Sequence, residues 1–308
     1  MPCYYPLSGW RSRVRNPSGK RNIVFNKSEG FSDMPLSVPC GQCIGCRLER
    51  SKQWAIRCAH EASLYQDNSF ITLTYADEFL PKNGSLVKAD FQKFMKRLRF
   101  RHGEGIRYYY CGEYGENFGR PHYHACLFNF DFRDKRLAPI RQKSSSPVFV
   151  SDDLKELWPY GFSTVGNVTF ESAAYVARYI TKKVTGKRAL DHYTKFDLNT
   201  GEVISERLPE YTDMSRRYAI GKGWFEKFYS DVFPEDFVVL NGKKMKVPKY
   251  YDAQFELAYP SDFEIIKAKR RKAAIDNADK NTLERLQTLE FIQRRRFEKL
   301  IRSYENGL

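Results

Sequence analysis

The spacing of apolar positions changes several times along the chain, and each change marks an element. From Gly45 to about Gln66, Leu48, Trp54, Ile56, Ala59 and Leu64 recur at roughly helical spacing. Phe70-Ile71-Thr72-Leu73-Thr74-Tyr75 follows as a β-branched and aromatic strand. Lys88 to Arg101 predicts an amphipathic helix with Phe91, Phe94, Met95 and Leu98 inward and Lys93, Lys96, Arg97 and Arg99 outward. Ile106 to Glu113 and Arg120 to Phe130 predict adjacent strands joined by a glycine-containing turn. A short helix around Asp152 to Trp158, a strand over Gly161 to Val168 and a helix from about Glu171 to Val184, stopped at Gly186, complete the pattern. The order strand, helix, strand, strand, strand, helix implies an α+β core: a central antiparallel sheet flanked by helices.

The flanks carry weaker patterns. The first 38 residues are rich in Gly, Pro, Ser and Arg and predict an irregular arm. Residues 133–150 form a charged connection too long for a tight turn, hence an insertion loop. Asp197 to Val203 predicts a hairpin, Trp224 to Val232 a helix, and Phe237 to Val247 a hairpin turning at Asn241-Gly242. Ser261 to Tyr304 has no Pro or Gly and reads as one long basic helix with a partial apolar stripe. Three regions result: 1–66 (arm, cysteine cluster, helix), 67–235 (core) and 236–308 (hairpin and C-terminal helix).

Charge narrows the partners. Among 308 residues, 52 Lys and Arg against 37 Asp and Glu leave a formal net charge of +15, which favours a polyanion, with nucleic acid first and an anionic membrane surface second. No run approaches the roughly 18 apolar residues of a spanning helix, and Met1-Pro2-Cys3-Tyr4-Tyr5 does not read as a signal peptide, so a cytoplasmic protein without membrane partners is expected. In a reducing cytosol clustered cysteines more often bind metal than pair. Cys40-x-x-Cys43-x-x-Cys46 supplies three thiolates of a tetrahedral Zn²⁺ site, with Cys3 the obvious fourth. Reduced free thiols or part of an iron–sulfur site are the alternatives. Cys58 and Cys126 sit among apolar residues and are expected to be buried and inert.

The densest chemistry lies in Arg120-Pro121-His122-Tyr123-His124-Ala125-Cys126. On a strand His122 and His124 share a face and Tyr123 takes the other, so two imidazoles can grip one metal ion. Mg²⁺ and Mn²⁺ assist phosphodiester chemistry, and Mn²⁺ accepts imidazole as well as oxygen. Glu113, ending the neighbouring strand, is the best third ligand. Some fifty residues on, Tyr175 and Tyr179 stand four apart, on one helix face. A phenol leaves more readily than an alcohol, so a phosphotyrosine bond conserves the energy to reseal DNA. Lys182, or Lys183 as second choice, can stabilise the developing charge. Each feature has a plain alternative: solvent-facing histidines on an edge strand, and core tyrosines. The basic stretches Arg47 to Lys52 and Lys93 to Arg101 offer phosphate contacts, and Tyr108, Tyr109, Tyr110, Phe118 and Tyr123 offer rings for unpaired bases.

Taken in order, Val38-Pro39-Cys40-Gly41-Gln42-Cys43-Ile44-Gly45-Cys46, Phe70 to Tyr75, Cys111-Gly112-Glu113-Tyr114-Gly115 with Arg120 to His124, and Tyr175 to Lys183 resemble the replication initiator proteins of gokushovirus-type microviruses, members of the HUH endonuclease superfamily. The resemblance runs from Cys3 to about residue 230 and departs at Ser215 to Gly221, to which no role is carried over. It implies a rolling-circle initiator of a small single-stranded DNA phage that nicks the origin of the duplex replicative form, stays on the 5′ end through tyrosine, leaves a 3′-OH for the host polymerase and finally joins the strand. It casts His122, His124 and Glu113 as ligands of Mg or Mn, Tyr175 and Tyr179 as alternating nucleophiles and Lys182 as their helper, in the host bacterial cytoplasm. Phage origin DNA is the implied partner, with host polymerase and helicase beside it. Two competing readings are a non-catalytic zinc-containing DNA-binding protein, which requires Tyr175 and Tyr179 to be deeply buried and far from the histidines, and a transposase or relaxase of the same superfamily.

Overall fold

The structure, a computed structural model, describes residues 3–17, 19–115, 118–138, 147–178, 183–197 and 199–305, with side chains for all of these except 281 and 300–305. The chain divides into two compact units, residues 1–50 with 273–302 and residues 51–272 with 303–308.

The N-terminal arm is not irregular. β1 (Leu7–Arg15), β2 (Arg21–Val24) and β3 (Gly30–Val38) form an antiparallel sheet in the order β2-β1-β3. Its buried positions are Gly9, Ser12 and Gly30 rather than alternating large apolar residues. Backbone pairing therefore defines this sheet, and period-2 hydrophobicity, the usual sign of a strand, is missing. The helix α1 (Ile44–Ala62) begins within the cysteine cluster and carries Cys46 in its first turn.

The larger unit is built on a seven-stranded antiparallel sheet, order β12-β5-β6-β4-β9-β8-β7. Its central strands are β4 (Asn68–Tyr75), β5 (Arg107–Tyr114), β6 (Pro121–Phe128) and β9 (Gly161–Gly166), and β12 (Tyr211–Met214) closes one edge. The connection at 133–150 contributes β7 (Arg136–Leu137) and β8 (Phe149–Val150) to the other edge. Alternation along the strands sends Ile71, Leu73, Tyr123, Ala125 and Leu127 to one face, where α2 (Lys88–His102) brings Phe91, Phe94, Met95 and Leu98 and α3 (Asp152–Leu157) brings Leu154 and Leu157. Cys126, Phe128, Tyr109 and Cys111 take the opposite face beneath α1 and α4 (Phe170–Arg178). Cys58 and Cys126 are wholly buried, and burial pushes both thiols up, Cys126 to about 12.

Beyond α4 come α5 (Arg188–Tyr193) with the hairpin β10 (Thr194–Phe196) and β11 (Val203–Glu206), then α6 (Lys222–Val232), and the hairpin β13 (Phe237–Leu240) and β14 (Lys243–Lys246), which turns at Asn241-Gly242 as expected. With α7 (Lys249–Ala258) and α8 (Pro260–Asp276), α6 and the second hairpin enclose a separate apolar cluster around Phe225, Phe233, Tyr251 and Phe255. The segment from Ser261 to Tyr304 is not one helix. α8 ends at Asp276, a 3₁₀ turn spans Ala278–Asn281, and α9 runs over Leu283–Glu305. Asn277 leaves helical geometry, and its side-chain amide donates to the Ala273 carbonyl at 2.7 Å. Thr282 then caps α9 by accepting from the Arg285 N–H at 3.4 Å. Asn and Thr compete for backbone groups in this way and can end a helix where no Gly or Pro stands.

Candidate active site

β6 lies between β4 and β5, with His122 opposite Thr74 on one side and Glu113 on the other; His124 is likewise opposite Thr72 and Cys111. Directly opposed residues share a sheet face, so both histidines, both threonines and Glu113 project together, on the face that α4 partly covers. The Thr72 hydroxyl is hydrogen-bonded to His124 Nδ1 at 2.9 Å and the Thr74 hydroxyl to His122 Nδ1 at 2.8 Å. His124 Nε2 lies 2.9 Å from Glu113 Oε1, with His124 only 2 % and Glu113 only 3 % exposed. His122 is half-buried and its ring centroid stands 6.4 Å from that of His124. Gly115 makes room for it: a Cβ there would fall 2.7 Å from His122 Nε2.

α4 starts where Thr169 and Ser172 cap one another, Thr169 Oγ1 accepting from the Ser172 N–H at 3.1 Å and Ser172 Oγ from the Thr169 N–H at 2.8 Å. Ala173, Val176 and Ala177 are wholly buried against the sheet, and two alanines in that face let the helix come close. Tyr175, half-buried at its flank, meets His124 edge-on, with ring centroids 5.3 Å apart and an interplanar angle of 81°. Phe70 holds both rings, stacked on His124 at 5.9 Å and edge-on to Tyr175 at 6.4 Å. Tyr175 is thus neither deeply buried nor remote from the histidines, contrary to what the non-catalytic reading requires. Tyr179 and Lys182 lie outside the described residues.

The donor set suits a divalent ion of the Mg or Mn class. Two imidazoles and a carboxylate share one sheet face on adjacent strands, and each Nδ1 is hydrogen-bonded to a threonine hydroxyl, an arrangement that would leave Nε2 of each ring for a metal. Thr72 and Thr74 had no role in the sequence reading. Their spacing of two in a strand was the available signal, but only the β4–β6 register reveals what they support. Three rings expected to face bases are core instead: Tyr109, Tyr110 and Tyr123 are buried, because the aromatic strands are covered on both faces. Of the basic residues on α2, Arg97 donates to the Leu157 carbonyl, Arg99 to that of Ile106, and Arg101 to Asp153 and Glu156, so these three brace neighbouring elements.

The second cluster belongs to the smaller unit. The sulfurs of Cys3, Cys40, Cys43 and Cys46 all lie within 4.8 Å of one another, a group able to bind a metal such as zinc. Backbone N–H groups point at them, from Cys40 to Cys3 Sγ at 3.2 Å, from Cys43 to Cys40 Sγ at 3.3 Å and from Tyr4 to Cys43 Sγ at 3.5 Å. Burial raises the Cys40 thiol, but N–H donors from Cys43 and Gln42 outweigh it and bring the group down to about 7. Leu286 and Leu289 of α9 pack on this cluster, and Tyr5 donates its hydroxyl to Glu290 at 2.5 Å.

Known proteins resemble this chain along most of its length. Residues 68–184, from β4 past α4, match the family model of the replication-associated protein ORF2/G2P. The chain is 35 % identical over 249 residues to the replication-associated protein VP4 of Bdellovibrio phage phiMH2K, covering 78 % of this chain and 74 % of that one. It is 37 % identical over 253 residues to the replication-associated protein ORF2 of Spiroplasma virus 4 (77 % and 74 %) and 30 % identical over 240 residues to the replication-associated protein ORF4 of Chlamydia phage 1 (72 % and 57 %). No solved structure matches the chain. Among the described residues no helix is long and apolar enough to cross a membrane.

Proposed function

Because this chain belongs to the replication-associated proteins of gokushovirus-type microviruses, we propose that it initiates rolling-circle replication of a small single-stranded DNA phage by nicking and rejoining origin DNA through tyrosine. The observation that carries the reading is Tyr175 against His124, which brings a nucleophile of the right kind to the edge of a His-His-Glu ligand set.

His122, His124 and Glu113 are the residues that would hold Mg or Mn, and the chemistry such an ion would supply is withdrawal of charge from a non-bridging oxygen of the scissile phosphate. Thr72 and Thr74 accept the Nδ1 protons of the two histidines and keep each Nε2 lone pair facing the ligand position. The Tyr175 phenol oxygen attacks phosphorus. A P–O bond to tyrosine forms, the bond to the 3′ oxygen breaks, the phenolic proton is lost, and the leaving 3′ oxygen is protonated to a 3′-OH. Tyr179, four residues on in the sequence, is the second nucleophile that attacks the regenerated junction, and Lys182 stabilises the phenolate or the leaving oxygen. The expected partners are origin DNA, single-stranded and in the duplex replicative form, with host polymerase and helicase acting on the nicked product in the host cytoplasm. The four cysteines are read as a structural zinc site that ties the N-terminal segment to the start of α1.

The test is capture of a denaturant-resistant adduct between the protein and circular phage DNA in Mg²⁺ or Mn²⁺, with the linked residue mapped by mass spectrometry. A 5′ adduct at Tyr175 or Tyr179 is expected, and the change of both tyrosines to Phe should abolish it. Tight DNA binding with no adduct under either metal would return the tyrosines to the core and leave a binding protein.

A further inference from the structure

We propose that Phe162 on β9 is a stacking platform for an unpaired base flanking the scissile phosphate. This deepens the nicking reading and rests on it for the position of the phosphate.

Phe162 is directly opposite Thr74, Thr74 is opposite His122, and His122 is opposite Glu113, so the four side chains form one row across β9, β4, β6 and β5 on the same face. At the usual strand spacing Phe162 stands roughly 10 Å from His122, within the reach of a neighbouring nucleotide from a phosphate held at the histidines. β9 is held to β4 at this end by Gly161, at φ +150, where a Cβ would fall 2.2 Å from the Ala76 nitrogen. That close approach fixes where Phe162 emerges.

The opposite face of β9 is core, with Val165 buried among the α2 and α3 residues. On the histidine face α4 packs over β5 and β6, while Phe162 is 69 % exposed. A single exposed phenylalanine is ordinary on a protein surface. One that continues a row of ligand-type side chains, on a strand whose neighbour bonds the histidine, in a chain of net charge +15, has a specific occupant. Bases offer a π-face whatever their identity, and an exposed ring on a sheet beside phosphate-binding groups is the way unpaired nucleotides are held without sequence readout. Thr164, next along the same face and opposite Thr72, adds a hydroxyl at the floor of the track.

The experiment uses the full chain and a fluorescein-labelled oligodeoxythymidylate, with affinity measured by anisotropy across a salt series. Phe162→Ala should weaken binding about tenfold, within what one aromatic–base stack contributes, and leave the slope of log affinity against log salt unchanged, because no phosphate contact is lost. Phe162→Trp should restore binding and Phe162→Leu should not, since leucine keeps apolar area without a π-face. Irradiation of an oligonucleotide carrying 5-iododeoxyuridine should cross-link to Phe162. An unfolding midpoint equal to the parent's is expected for Phe162→Ala, the side chain being exposed. Parent-like binding by Phe162→Ala, equal rescue by Leu and Trp, or a reduced salt slope would each overturn the platform. The two readings separate cleanly. If the parent chain forms the tyrosine adduct while Phe162→Ala binds normally, only the platform fails. If binding depends on Phe162 but no adduct ever forms, only the nicking fails.

Discussion

The two faces of β6 come from alternate residues of one strand, yet they do opposite jobs. Tyr123, Ala125 and Leu127 point at α2 and α3 and disappear into a core where Tyr123 also donates to the Val87 carbonyl and accepts from the Val87 N–H, both at 2.9 Å. His122 and His124 point at a face that α4 covers only over β5 and β6. Across that face burial falls off from strand to strand: Tyr109, Cys111 and Glu113 on β5 are buried, as are Cys126 and His124 on β6, His122 and the β4 residues Phe70, Thr72 and Thr74 are half-buried, and Phe162 on β9 is exposed. The ligand-type side chains therefore sit where cover gives way across the sheet, between β5 and β9. The strand that supplies rigid support also carries the proposed ligands, and residues one apart in sequence should separate stability from chemistry.

The largest effect tests the core side. Tyr123→Ala removes a wholly buried aromatic and strands the Val87 backbone groups, which should cost about 3–5 kcal/mol of stability. A lowered denaturant midpoint checks it, with cleavage per folded molecule preserved. Were the protein to keep its midpoint and lose cleavage, the division between the faces would be wrong. On the other side of the same strand, His124→Gln keeps a hydrogen-bond donor for Glu113 while removing the imidazole. It should lower metal-dependent cleavage by roughly a hundred- to a thousandfold. Affinity for DNA and the unfolding midpoint should stay near the parent's. A variant that cleaves normally would remove His124 from the ligand set.

Much of this was legible before the structure, for a physical reason. Alternation puts His122 and His124 together without knowing what they face, and helical spacing sets Tyr175 over a buried stripe of Ala173, Val176 and Ala177. Asn241-Gly242 marks its hairpin because both residues take positive φ there, 50° and 71°. What escaped is what depends on pairing between distant segments. Thr72 and Thr74 are about fifty residues from the histidines they hold, and no local pattern states the register. The N-terminal sheet escaped because small and polar residues occupy its buried positions, and the break at Asn277 because capping groups rather than Gly or Pro end α8. The tyrosines of β5 misled in the opposite sense: a run of aromatic residues looks like a binding surface until both faces of the sheet are seen to be covered.

Thr74→Val is the finest cut between the two faces, because it alters neither the core nor a ligand. Valine is β-branched like threonine, so the strand geometry and its pairing with His122 and Phe162 persist. What is lost is the hydroxyl hydrogen-bonded to His122 Nδ1, which holds the angle of the ring. Loss of such an outer-shell partner typically costs ten- to a hundredfold in metal affinity or activity, and here the lower end is expected because Thr72 still holds His124. The deficit should appear as a higher Mn²⁺ concentration for half-maximal cleavage, recover at saturating Mn²⁺, and vanish in Thr74→Ser, which keeps the oxygen. A deficit that saturating metal does not relieve would mean that Thr74 shapes the DNA track beside Phe162 rather than the histidine, moving the boundary between ligand support and substrate contact one strand inward.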